Sequence, residues 1–259
     1  MLSSSELNLG LIGQKLSHSF SKQYFLEKYG IATYSLIELP AISELHSAIS
    51  RLHLDGFNVT IPYKREIIPL LNDIDPIAKE IGAVNTVVVK RIHRQDSQLQ
   101  NKIDQIRLIG YNTDAPAFLE TLQPQLEPHN HKALILGTGG ASLAVSWALR
   151  QLGIDYRFVS RTPHDHFISY DAARELLKKD DFSIIINATP VGMYPNCEAS
   201  PWPFPELLNR HHLCYDLIYN PSPTLFLKEA ESRGAKTLNG LAMLHLQADL
   251  ALKIWNTSR

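Results

Sequence analysis

A lysine closes the stretch GFNVTIPYK at residues 56–64. Phe57, Val59 and Ile61 alternate with Asn58 and Thr60 as in a strand, and Pro62 ends regular pairing. An amide, a hydroxyl and an ammonium therefore gather near one strand end, where Gly, Asp or Ser is more common. Taken singly, Lys64 reads as a solvated edge charge and Thr60 as a strand filler. A second run, GTGGAS at 137–142, follows the apolar segment ALIL and opens a helical pattern. Gly137 allows a tight turn and Gly139 lets a backbone approach a pyrophosphate. Gly140 and Ala141 then start a helix whose N-terminal N–H groups favour an anion. The third position of this dinucleotide fingerprint is Ser142 rather than glycine, which predicts a slightly wider strand–helix spacing. The following strand tip is Ser160-Arg161-Thr162 and carries no acid. A planar guanidinium and a hydroxyl there suit the 2′-phosphate of NADP better than the free ribose of NAD.

Alternating strand and helix patterns must hold these residues. In the first half, LNLGLIG, TYSLIEL, the GFNVTI run and AVNTVVVKRI read as strands. A helix following SHSFS stops at Gly30, and one over ISELHSAISRLHLDG stops near Gly56. Pro69 and Pro76 break REIIPLLNDIDPIAKEIG into pieces, and the polar HRQDSQLQNKIDQIR reads as a hairpin loop, with 91–108 long for such a connection. After the Pro/Gln-rich break at 122–131, a second series of strands and helices ends in a long apolar helix, GLAMLHLQADLALKIW. This alternation predicts an α/β protein with mostly parallel strands. NCEASPWPFPE reads as a mobile surface flap. His211 and His212 would point apart on a strand, and the eleven histidines show no metal-ligand spacing.

The 259 residues are 44% hydrophobic and 20% charged, enough for a substantial core. A net charge of −1 gives no reason to expect nucleic acid or an anionic membrane as partner. Cys197 and Cys214 form no paired motif and fit a reducing cytoplasm. The first residues lack the pattern of a signal peptide, and no apolar run approaches the ~20 residues of a membrane span.

Nine stretches in order resemble shikimate dehydrogenases, the shikimate/quinate dehydrogenase family: SHSFS (17–21), GFNVTIPYK (56–64), GAVNTV (82–87), GYNTD (110–114), GTGGAS (137–142), SRT (160–162), NATPVGM (187–193), YDLIYNP (215–221) and NGLAMLHLQA (239–248). The resemblance implies an N-terminal α/β substrate-binding domain, residues 1–114 completed by 240–259. It also implies a Rossmann-like NADP-binding domain, 115–239, with a cleft between the two and the last helix returning to the first domain. It implies Ser19 and Ser21 at a substrate carboxylate, and Thr60, Asn85, Asp114, Tyr219 and Gln247 along the same pocket. Lys64 and Asp114 are implied as the catalytic pair, facing each other across the cleft, with Lys64 also contacting the substrate and Asp114 holding the lysine ammonium in place. Gly137, Gly139, Gly140, Ala141, Ser160, Arg161, Thr162, Thr189, Gly240 and Met243 are implied at the cofactor, and no metal. The implied reaction is reduction of 3-dehydroshikimate with NADP(H) on the route to chorismate and aromatic amino acids, in a cytoplasmic monomer or homodimer. Two departures stand out: Lys22 replaces the family's usual proline, read as an exposed cation, and only His164 and His166 follow the SRT motif where a further basic residue is usual. The alternatives are a quinate/shikimate dehydrogenase using NAD and a nucleotide-binding regulator without turnover.

Overall fold

The structure is a computed structural model and describes residues 7–16, 20–95, 102–179 and 182–258. Two compact units divide it, one formed by Met1–Thr113 with Gln247–Arg259 and the other by Asp114–Leu246. No helix among the described residues is long and apolar enough to cross a membrane.

In the first unit a six-stranded sheet carries β1 (Leu9–Gly13), β2 (Tyr34–Glu38), β3 (Gly56–Val59), β4 (Asp73–Ile74), β5 (Thr86–Gln95) and β6 (Lys102–Tyr111). Their spatial order is β2-β1-β3-β5-β6-β4. The pairs β1–β2, β1–β3 and β4–β6 are parallel, but β5 runs antiparallel to both β3 and β6, so this sheet is mixed rather than uniformly wound. Helices α1 (Ser21–Tyr29), α2 (Leu45–Leu52), α3 (Tyr63–Glu66) and α4 (Pro76–Ile81) belong to this unit.

Several expectations need correction here. The polar run expected as a hairpin loop is largely strand: β5 and β6 stay in register from Thr86↔Tyr111 out to Gln95↔Lys102. Polar residues hide the pairing because the outer part of a two-stranded ribbon needs no buried face. Helix α2 ends at His53, which adopts the left-handed conformation (φ 49°), and Gly56 instead starts β3. Pro76 opens α4 rather than breaking a helix, behind an Asp75 cap whose carboxylate accepts from the N–H groups of Ile77 and Ala78.

The second unit holds β7 (Lys132–Leu136), β8 (Asp155–Val159), β9 (Phe167–Ile168), β10 (Ile184–Asn187), β11 (Leu213–Asp216) and β12 (Lys236–Leu238), all parallel, in the order β12-β11-β10-β7-β8-β9. Helices α5 (Asp114–Leu122), α6 (Gly140–Gln151), α7 (Tyr170–Leu177) and α8 (Leu225–Ser232) complete it. The order reverses between β7 and β10, the topological switch where doubly wound sheets bind ligands beyond their carboxyl ends. The flap expected at NCEASPWPFPE is anchored instead: Trp202 is fully buried in a core with Leu134, Ile185 and Phe226. Its indole N–H donates to Phe204 O at 2.9 Å, and the Arg174 guanidinium lies over the Phe204 ring. His211 lies in a turn, not a strand, and His212 is buried just before β11.

The last helix, α9 (Leu241–Thr257), begins with residues of the second unit and ends with residues of the first. Ala248, Ala251, Leu252 and Trp255 on it join Leu7, Leu9, Phe25 and Tyr34 in one apolar core.

Candidate functional site

Lys64 lies not at the strand end but in α3, a single helical turn following Pro62. The turn is held on both sides. The N–H of Val84 donates to Lys64 O at 2.8 Å, and the Tyr63 hydroxyl donates to Leu39 O. Lys64 and Thr60 are half-buried, and the N–H of Thr60 continues the β1 pairing to Ile12 O at 2.8 Å. Ser21 is the first residue of α1 and is buried; the cap position is Phe20, so Ser21 does not act as the helix cap. Lys22 beside it is exposed. Ser19 lies outside the described residues.

Asn85, just before β5, is 3% exposed and its amide orientation is fixed. The backbone N–H of Thr113, which can only donate, meets its Oδ1 at 2.7 Å. Its Nδ2 then donates to Thr113 Oγ1 at 2.9 Å and to Gln247 Oε1 at 3.5 Å. Sequence reading did not assign Thr113, which meets this amide, nor Asn58, which donates to the Asn85 backbone carbonyl, nor Tyr34, which donates to Asn58, although the Asn58 amide near the strand end was in view.

In the second unit, Gly137 has φ 104° and donates its N–H to Val159 O at 3.0 Å. A Cβ there would come within 2.8 Å of Thr189 Cγ2, so the glycine turn after β7 lies against the loop after β10, at the switch point. Gly139 caps α6 without any side-chain hydrogen bond, and a Cβ on it would meet nothing within 4 Å. An uncapped helix N-terminus with open space in front fits a pyrophosphate. Ser142 is fully buried and its hydroxyl donates to Gly139 O at 2.6 Å, so it closes the turn from inside.

At the tip of β8, Ser160 Oγ accepts from the N–H of Thr162 at 3.2 Å, which bends the chain so that Arg161 and Thr162 stand exposed. His164 packs edge-on against Phe167 and has Asp165 3.8 Å away. An exposed guanidinium fits a ribose phosphate. Thr189 sends both its N–H and its hydroxyl to Asn187 Oδ1, at 3.0 and 2.7 Å.

Asn187 in turn donates to Asp216 Oδ1 at 2.9 Å, an atom that also accepts from the N–H of Ile218 at 3.0 Å; Thr224 donates to Oδ2 at 2.7 Å. Asp216 is fully buried, and burial pushes its carboxyl up to about 6 despite these three donors. It ties the ends of β10 and β11 together and was missed as a functional residue although YDLIY was in view. Tyr219, three residues on, is half-buried. Gly240 lies over the Leu217 carbonyl so closely that any side chain would collide with it, which gives this glycine a packing reason of its own. Met243 is buried on α9, and Asp114 is buried as the first residue of α5.

Comparison with known proteins gives the same chemistry a family context. Residues 11–87 match the family model of the shikimate dehydrogenase substrate binding domain. The chain is 36% identical to the shikimate dehydrogenase (NADP(+)) of Carboxydothermus hydrogenoformans, covering 95% of this chain and 90% of that protein. Shikimate dehydrogenase 1 from Peptoclostridium difficile is similar in structure with a TM-score of 0.78, 37% identity and coverage of 96% and 91%. The shikimate 5-dehydrogenase from Thermus thermophilus, solved in complex with NADP(H) and shikimate, matches with a TM-score of 0.77, 33% identity and coverage of 97% and 94%.

Proposed function

The chain belongs to the shikimate dehydrogenase family, and from that premise we propose that it is an NADP-dependent oxidoreductase interconverting 3-dehydroshikimate and shikimate on the route to chorismate. The observation that carries this reading is the glycine turn at the switch point of an all-parallel sheet, with Arg161 exposed at the tip of the next strand. The first unit is the substrate-binding part and the second the cofactor-binding part.

Gly137, Gly139, Gly140 and Ala141 would hold the pyrophosphate, and Ser160, Arg161 and Thr162 the 2′-phosphate. Thr189, Gly240 and Met243 would lie along the rest of the dinucleotide. NADPH, when bound, supplies the hydride. Lys64 then stabilises the oxygen that gains charge and delivers a proton to it. Asp114 accepts a hydrogen bond from a substrate hydroxyl. Ser19 and Ser21 donate to the carboxylate, while Thr60, Asn85, Tyr219 and Gln247 pair with the ring hydroxyls. Asn85 meets them with an amide orientation set by the Thr113 N–H. A pocket that pairs hydroxyls rejects analogues lacking them, since its own groups would be left unpaired. Free Cys197 and Cys214 support a cytoplasmic setting.

Lys64→Ala should lower turnover by ~10²–10⁴ while leaving NADP affinity intact, as read by steady-state kinetics and calorimetry; near-normal turnover removes its role. Rates with shikimate or quinate, each with NADP or NAD, separate this reading from a quinate dehydrogenase. Tight NADPH binding without any reduction of 3-dehydroshikimate would make the protein a regulator instead.

A further inference from the structure

Asn187 ends β10 and Asp216 ends β11, opposite each other in the parallel register, and both are fully buried. Two backbone groups fix the Asn187 amide. The N–H of Thr189 can only donate and meets Oδ1 at 3.0 Å, while the Val191 carbonyl can only accept and meets Nδ2 at 3.3 Å. Thr189 also donates its hydroxyl proton to Oδ1 at 2.7 Å, and the N–H of Val191 donates to that hydroxyl at 3.2 Å. One amide thus holds the loop 188–191 from inside. Its second proton goes to Asp216 Oδ1 at 2.9 Å. The carboxylate serves the next loop in the same way. Oδ1 also accepts from the N–H of Ile218 at 3.0 Å, and Ile218 O accepts from the N–H of Gly240 at 3.1 Å. Oδ2 accepts at 2.7 Å from Thr224, the cap of α8.

The sheet order says which part of a dinucleotide these loops face. β8 with Arg161 flanks β7 on one side, and β10 and β11 lie on the other. A pyrophosphate at the turn after β7, with a 2′-phosphorylated adenosine at β8, sends the rest of the molecule over β10 and β11. The loop 188–191 borders that path at once: a Cβ on Gly137 would come within 2.8 Å of Thr189 Cγ2 and 3.2 Å of Ala188 O.

We propose that Asn187 and Asp216 are positioning residues for the nicotinamide half of the cofactor: the bond between their side chains keeps the loops after β10 and β11 in the conformation that receives it. This rests on the cofactor reading of Thr189 and Gly240 given above. With the bond cut, the loops spend only a fraction of the time in that conformation, and affinity falls by the same fraction. The adenosine half, held at the glycine turn and Arg161, keeps its contacts.

The test is calorimetry with two ligands, NADP and adenosine 2′,5′-bisphosphate, which carries the adenosine half without the nicotinamide. A thermal melt is read for each variant. Asn187→Ala and Asp216→Ala should each weaken NADP roughly 5- to 20-fold and leave the bisphosphate within about 2-fold. The double variant should be hardly worse than either single one, because both changes cut one bond. Asp216→Asn keeps an oxygen for Asn187 and Ile218, so its NADP affinity should stay within about 2-fold of the parent. Where an alanine variant fails to fold, Asn187→Ser or Asp216→Ser, which leaves a hydroxyl in the gap, takes its place. Unchanged NADP affinity in the truncated variants overturns the proposal, as does Asp216→Asn binding as poorly as Asp216→Ala. Equal loss of both ligands, or melts that collapse throughout the series, shows that the pair supports the whole unit and overturns it too. If the unaltered protein binds neither ligand, the cofactor reading itself fails and the proposal falls with it.

Discussion

Asp216 is the residue at which local chemistry and global stability meet most directly. Its folded-state carboxyl titrates at about 6, against 3.8 for the free group, because burial disfavours the charge. The folded chain therefore binds this proton more tightly than the unfolded chain. The resulting stabilisation is full below the lower value and is lost as pH rises through the upper one, up to about 3 kcal/mol. Asp216→Asn has no charge to bury, and Thr224 can turn its hydroxyl to accept from the new amide. The stability of this variant relative to the parent should therefore rise between about pH 4 and about pH 7, as followed by urea unfolding. A constant difference across that range would refute the assignment. Legibility at this scale followed the reach of each contact. The role of Gly139 was readable because turn and helix are neighbours in sequence. The role of Asp216 was not, because Asn187 lies 29 residues away and the bond exists only once β10 and β11 pair.

Whole elements show the same division. Strong periodicity made the long helices and central strands visible. β4 and β9 have two residues each and β12 three, too few to display an alternation, and they exist only because a neighbouring strand offers its edge. Gly56 shows how one element can require a residue of another. The indole of Trp255 on α9 lies directly over it, and the indole N–H donates to Val87 O at 2.9 Å. An added methyl at Gly56 would strike the indole rather than a movable chain end. Gly56→Ala should therefore destabilise the first unit by about 1–3 kcal/mol, measurable as a lower urea midpoint. An unchanged midpoint would mean that α9 shifts freely on the sheet. From sequence alone Gly56 looked like a helix stop, because its partner stands 199 positions later.

At the scale of the molecule, the two units differ in how the chain supplies their cores. The main apolar cluster of the second lies within residues 134–235, with Phe118 and Leu122 of α5, just before it in sequence, also buried. The first combines Leu7, Leu9 and Phe25 with Trp255. A chain ending at Leu246 should keep slow amide exchange in β7, β10 and β11 while β1–β3 exchange quickly, as hydrogen–deuterium exchange would record. Equal protection in both regions would show that the final residues are dispensable to the first core.

That late arrival of Trp255 sets a timetable on the ribosome. The segment translated in the middle can emerge and close while the amino-terminal segment, made earlier, still waits for its last layer. The earlier-made of the two segments thus keeps its apolar residues uncovered for longer than the one made after it.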